Sequence, residues 1–208
     1  MEILAEDHLN EANLLEYRSI ISLKRRKEYL LGRLLIKKLL KDKYDISEVL
    51  LTKGIFNQPV INNTNVDISL AHSGKYLVAM GFPRIILAGI DIEVIDQKLS
   101  NTIKKVLTVN ELNLLEKSSN NDDLELSIFW TAKEALSKAI KVGFTTEISI
   151  FEINQMTYDS LIEKYVVYFT SFPYFVAYAT VFDGFVYTVV LPKMVNIKKE
   201  ILTMKADV

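Results

Sequence analysis

Gly89-Ile90-Asp91-Ile92-Glu93-Val94 is the stretch on which the fold turns. Its β-branched residues alternate with two carboxylates, a period of two that predicts a strand carrying Asp91 and Glu93 on the same face. Two anions held close together beside an apolar sheet are unfavourable unless a cation lies between them or one is protonated. A hard divalent ion meets that need, because magnesium prefers oxygen ligands and leaves positions for water and phosphate oxygens. Phosphate chemistry is therefore the first functional class this strand points to. Taken alone, the same Asp-x-Glu pattern also describes the solvent face of an edge strand.

Further along, Trp130-Thr-Ala-Lys133-Glu134-Ala-Leu-Ser-Lys138 has helical spacing and brings a third carboxylate. Glu134 and Lys138 are four residues apart and share a helix face, the geometry of an ordinary surface ion pair. Trp130 reads as a core residue. Helix and strand together supply three acids and one lysine.

Composition bounds the rest. The chain has 208 residues, half of them apolar and a quarter charged, with seven Gly and four Pro, as in a folded globular protein. A net charge of −1 argues against general nucleic-acid binding, which needs a clear basic excess. The basic residues are nevertheless concentrated: between Lys24 and Lys43 nine Lys or Arg face two acids, a patch suited to a small polyanion if it is not simply a solvated helix face. With no cysteine, the chemistry must use oxygen and nitrogen. No initial run has the order of a signal peptide, and Val176–Leu191 is broken by Asp183-Gly184 into a hairpin, so neither export nor a membrane span is expected. The expected location is cytoplasmic.

Apolar residues at helical spacing run from Glu11 to Lys41, strongest at Leu30, Leu31, Leu34, Leu35 and Leu39. Short apolar runs follow at Val49–Leu51, Val66–Leu70, Tyr76–Phe82 and Ile85–Val94, divided by turn signals at Asn62-Asn63-Thr64-Asn65 and Ser73-Gly74. Helical patterning returns over Leu99–Leu115 and Leu124–Lys141, with Gly143 as a stop. Strand-like runs then appear at Ile148–Ile153, Tyr165–Thr170, Tyr174–Phe182 and Phe185–Leu191. Helices then strands, twice over, predict an α+β fold of two halves, 1–96 and 97–208, each a helix packed on an antiparallel sheet. The Asp91 strand would close the first half and the Glu134 helix would belong to the second, so the carboxylates would meet at an interface.

In this order, five segments resemble the Sfp-type 4′-phosphopantetheinyl transferases. They are Arg25-Arg26-x-Glu28-Tyr-Leu-x-Gly-Arg33, Phe56-Asn57-Gln58-Pro59, Ser69-Leu-Ala71-His72-Ser73, Gly89-Ile-Asp91-Ile-Glu93 and Trp130–Lys138. The resemblance implies two α+β halves with pseudo-twofold symmetry in a monomer, with coenzyme A and magnesium between them. It also implies the reaction, in which the phosphopantetheine arm of coenzyme A passes to a serine of an acyl or peptidyl carrier protein, releasing adenosine 3′,5′-bisphosphate. Manganese accepts the same oxygen ligands.

Carried over by position, Asp91, Glu93 and Glu134 correspond to metal ligands, Glu134, or a water held by it and the metal, to the group that takes the serine proton, and Lys138 to the stabiliser of the departing phosphate. His72, with Ala71 and Ser73 beside it, matches the 3′-phosphate segment. Lys53, Asn57 and Gln58 match the segment around the adenine, and Arg18 and Arg26 are assigned to phosphate. The segment Val94–Leu112, with Lys104 and Lys105, matches the surface that receives the carrier. Departures are Gln58 where many members have lysine, Ala71 where serine is common, and an immediate entry into helix where many begin with a strand. The same acids also suit a metal-dependent nucleotide phosphohydrolase, and a non-catalytic coenzyme A or carrier-binding module is the remaining alternative.

Overall fold

A computed structural model describes residues 1–47, 49–55, 58–117 and 122–195. Asn57 and the end of the expected second half, 196–208, lie outside the described residues. The chain divides into two compact units, Met1–Ile85 and Ile86–Val208. It is an α+β protein, as expected, but the division falls before the Asp91 strand rather than after it.

The first unit opens with helices α1 (Glu2–His8), α2 (Glu11–Ser19) and α3 (Leu23–Tyr44). The long helical pattern is thus cut in two by caps: Asn10 accepts from the Asn13 amide at 2.9 Å, and Ser22 from the Arg25 amide at 3.4 Å. Strands β1 (Leu51–Lys53) and β2 (Pro59–Ile61) pair antiparallel, as do β3 (Val66–Ser73) and β4 (Tyr76–Pro83), whose hairpin turns at Gly74 with a φ of +55°. These form two hydrogen-bonded pairs, not the single sheet that their spacing suggested. Ile36 and Leu40 of α3 pack with Leu51, Ile61, Val66 and Ile68 in one core cluster.

The second unit is a five-stranded antiparallel sheet in the order β5-β9-β8-β7-β6. Its strands are β5 (Gly89–Val94), β6 (Ile153–Asp159), β7 (Lys164–Phe169), β8 (Phe175–Phe182) and β9 (Phe185–Pro192). The β8–β9 hairpin turns at Asp183 and Gly184, both with positive φ (49° and 76°), the two-residue geometry that matches strand twist. On its other edge β9 pairs with β5, Asp91 opposite Thr188. The Asp91 strand therefore belongs to the sheet of the second unit; only a long-range pairing decides this, and local patterning does not carry it.

Helices α4 (Gln97–Ile103), α5 (Val109–Lys117) and α6 (Asp122–Ala139) complete this unit. The expected Leu99–Leu115 helix is broken after a short 3-10 turn, because Thr108 starts a new one: its hydroxyl accepts from the Glu111 amide and Glu111 accepts from the Thr108 amide. The expected strand at Ile148–Ile153 is instead a 3-10 turn over Ile148–Phe151 leading into β6. Leu126, Phe129, Ala132, Leu136 and Phe151 form the core with Val167, Phe169, Ala177 and Val190, and Trp130 packs at its margin against Phe144. Among the described residues, no helix is long and apolar enough to cross a membrane.

Candidate active site

Helix α6 approaches β5 so closely that Gly89 admits no side chain. A Cβ there would lie 2.0 Å from the Ala135 carbonyl oxygen and 2.7 Å from the Ala139 amide nitrogen. This is a physical reason for glycine ahead of Ile-Asp-Ile-Glu: it brings the strand against the small-residue stripe of Ala132, Ala135 and Ala139. Asp91 and Glu93, two and four residues on, project on the same side.

Thr131, Glu134 and Lys138 form the neighbouring stripe of α6, at i, i+3 and i+7. The Thr131 and Thr188 hydroxyls share a buried hydrogen bond of 2.7 Å, and Thr188 is the register partner of Asp91. Lys138 Nζ donates to Asp91 Oδ1 at 2.7 Å. Glu134 lies between these two contacts along the helix. Lys138 is thus bonded across to the strand rather than along its own helix. Asp91 is almost fully buried, and Glu93 is half-buried.

Burial pushes the Glu134 carboxyl up to about 7, and the charges of Asp91 and Glu93 push in the same direction against the opposing ammonium of Lys138. Glu134 is thus near enough to Asp91 and Glu93 for both charges to act on it. Among the described residues, no three Asp, Glu or His groups are gathered tightly enough to chelate an ion as they stand. The donor set is nevertheless all carboxylate oxygen, with excess negative charge that a lysine offsets only partly, and such a set suits a hard divalent cation.

Beneath this stripe lies a pair that sequence reasoning missed. Lys133 Nζ is 2.6 Å from Glu111 Oε1, and both side chains are fully buried. Glu111 also accepts from the Ile153 amide at 2.9 Å, so one carboxylate joins α5, α6 and β6. Desolvation holds the Lys133 ammonium below its ordinary range, with Glu111 opposing. The signal was present in Thr108-x-x-Glu111, a capping box followed by an apolar run.

The nucleotide residues implied by the resemblance fall in the first unit, where a cleft of about 1000 Å³ is lined by residues that include Arg25, Glu28, Arg33, Lys53 and His72. Gly32 lets α3 approach β3, since a Cβ there would touch the Leu70 side chain at 3.0 Å. His72 is exposed, with Nε2 3.9 Å from Glu28 Oε2. Ala71 and Ser73 are buried and, by strand alternation, face away from His72. Gln58 lies over the backbone of Gly54, whose amide donates to the Gln58 carbonyl at 2.8 Å.

The assigned arginines serve other contacts. Arg18 is exposed and forms ion pairs with Glu2 at 2.7 Å and with Glu6. The Arg26 guanidinium donates to the carbonyls of Ile20 and Arg18 and sits over the Tyr17 ring, closing the end of α2. Neither lines the cleft. Arg33 does, and it is buried. Its guanidinium lies 4.8 Å from the Tyr29 ring centroid and 3.8 Å from Glu16 Oε2. Glu16 also accepts from Lys53 and from the Tyr29 hydroxyl, linking α2, α3 and β1. No local sequence signal marks it, because its partners lie on other elements.

Residues 88–190 match the family model of the 4′-phosphopantetheinyl transferase superfamily. The match begins one residue before Gly89 and covers β5, α6 and the rest of the five-stranded sheet through most of β9. No curated protein is similar enough to the chain to count as a match.

Proposed function

We propose, from the match of residues 88–190 to the family model of the 4′-phosphopantetheinyl transferase superfamily, that this protein transfers the phosphopantetheine arm of coenzyme A to a serine of an acyl or peptidyl carrier protein. The observation that carries this reading is the convergence of Asp91, Glu93, Glu134 and Lys138 within that segment.

Glu134, with its carboxyl near neutrality, is poised to accept the serine proton as the hydroxyl oxygen bonds to the phosphorus next to pantetheine. The phosphoanhydride bond breaks as the new P–O bond forms, and adenosine 3′,5′-bisphosphate leaves. Lys138, oriented by Asp91, donates to the departing phosphate. Asp91, Glu93 and Glu134 would hold magnesium or manganese, which when bound neutralises charge on the pyrophosphate. Within the first unit, the cleft lined by Lys53, Arg33 and His72 offers cationic and hydrogen-bonding groups of the kind that nucleotide phosphates take.

For the carrier, Val94 and Lys105 are exposed, and Lys104 pairs with Asp122 at 3.1 Å on an exposed surface. Within the expected docking segment Val94–Leu112, Ile103 is buried in the core and so is not among the residues offered to a carrier. An acidic carrier surface complements the two lysines. Reversing both charges should weaken carrier modification more than coenzyme A binding.

The decisive experiment incubates the protein with coenzyme A, magnesium and several apo-carrier domains and weighs the carriers intact. A phosphopantetheine adduct on serine, abolished by Asp91→Ala and Glu134→Ala, is the expected result. Nucleotide hydrolysis without an adduct would identify a phosphohydrolase, and binding with neither product a non-catalytic module.

A further inference from the structure

The cleft of the first unit contains more negative charge than an anion site needs. Glu16 stands between two of its cations: Lys53 Nζ is 2.9 Å from Oε1, and the Arg33 guanidinium is 3.8 Å from Oε2. The Tyr29 hydroxyl donates to the same carboxylate at 2.8 Å. Glu28, also in the lining, lies 3.9 Å from His72 Nε2 and, along its own helix, 3.9 Å from Lys24 Nζ.

Partial burial alone would raise the Glu16 carboxyl. The hydrogen bonds from Lys53 and Tyr29 and the charges of Lys53 and Arg33 outweigh it, and the group is held below its ordinary range. It is therefore an anion at neutral pH. An incoming phosphate meets cations that are already partly neutralised and must share Lys53 with a fixed carboxylate. Lysine can do this, having three donors and a half-exposed ammonium. Arg33 is buried and held by Glu16 and the Tyr29 ring, so it contributes charge from a fixed position.

We propose that Glu16 is an internal counter-charge that limits the affinity of this cleft for nucleotide phosphates and so promotes release of the nucleotide product. This rests on the reading of the cleft as the nucleotide end of the coenzyme A site. The chemistry is that of uniform binding: a carboxylate set against the nucleotide phosphates weakens substrate and product alike, because both carry them. Where product departure limits turnover, weaker binding is an advantage.

The test is calorimetric titration of the full chain with coenzyme A and with adenosine 3′,5′-bisphosphate, comparing wild type with Glu16→Gln. Glutamine removes the charge, keeps one acceptor oxygen for Lys53 Nζ, and turns its NH2 toward the Tyr29 hydroxyl oxygen, which can accept. Both dissociation constants should fall by about three- to tenfold at low salt, and the gain should shrink at high ionic strength. Glu28→Gln should act in the same sense, and Glu11→Gln, exposed at the start of α2, should change nothing. Inhibition of carrier modification by added adenosine 3′,5′-bisphosphate should strengthen by the factor seen in binding. Wild-type binding with no gain, or a loss, in Glu16→Gln overturns the inference alone. Failure of the wild-type protein to bind either nucleotide overturns it together with the reading on which it rests.

Discussion

Lys138 Nζ lies 2.7 Å from Asp91 Oδ1, an ion pair that joins the last turn of α6 to the middle of β5. Asp91 is buried and Lys138 is partly exposed, so the lysine brings a counter-charge to an acid that cannot reach bulk water freely. The same contact aims the ammonium at the carboxylate cluster.

Lys138→Met should therefore lose both stability and activity. Without this counter-charge Asp91 is costly to keep ionised, and unfolding in urea should show a loss of about 1–3 kcal/mol. Transfer to a carrier serine should fall by more than the stability change explains. Asp91→Asn in the same background should recover stability without recovering activity.

Glu134 predicts an unusual pH profile for the metal-free protein. Its carboxyl rises from an ordinary 4.5 to about 7 on folding. A raised folded value means that the stability contribution is fully present below about 4.5 and is lost as pH climbs through 7, at a cost of about 3 kcal/mol at pH 8. Thermal melts of wild type against Glu134→Gln should show the variant gaining more at pH 8 than at pH 5. Magnesium should reduce that difference and release protons on binding, measurable by titration in buffers of different ionisation enthalpy.

Gly89→Ala should be among the most damaging single-carbon additions. The new Cβ would meet backbone of α6 on contact, and backbone cannot swing aside as a side chain can. A loss of about 3 kcal/mol or more is expected, with transfer activity reduced further as Asp91 and Glu93 are displaced from Glu134. Guanidinium unfolding paired with carrier modification would check both.

Lys133→Met should cost about 3–5 kcal/mol, because it strands the fully buried Glu111 carboxylate. Combining it with Glu111→Gln should return most of that loss. A double variant as unstable as the single one would show that the Thr108 and Ile153 amides, rather than the lysine, depend on the charge of Glu111.

Much of this was legible in residue order. The alternation of 89–94 marked β5, the spacing of 130–138 marked the face of α6 that bears Glu134 and Lys138, and Asp183-Gly184 marked the hairpin. Each is a local property, set by a period or by a backbone conformation that few residues adopt. The break before Val109 was legible as well, through the Thr108–Glu111 capping box, and apolar spacing alone passed over it.

What local pattern leaves open is which elements pair. Strand β5 lies near the end of the helix-then-strand series of the first half, yet its hydrogen bonds go to β9, about a hundred residues away in sequence. That choice moves the unit boundary to Ile85 and places the three acids within a single unit. Arg18 and Arg26 illustrate the same limit, since a basic residue on a helix gives no sign of whether a carboxylate or a backbone carbonyl will reach it first. So the sequence by itself determined the α+β class and the strand and helix that bear Asp91, Glu93, Glu134 and Lys138, because those follow from short-range periodicity. Only the tertiary structure decided that Lys138 meets Asp91, that Glu16 occupies the cationic cleft and that Lys133 is buried against Glu111. Those partners are chosen by burial and long-range packing, which no short window of sequence contains.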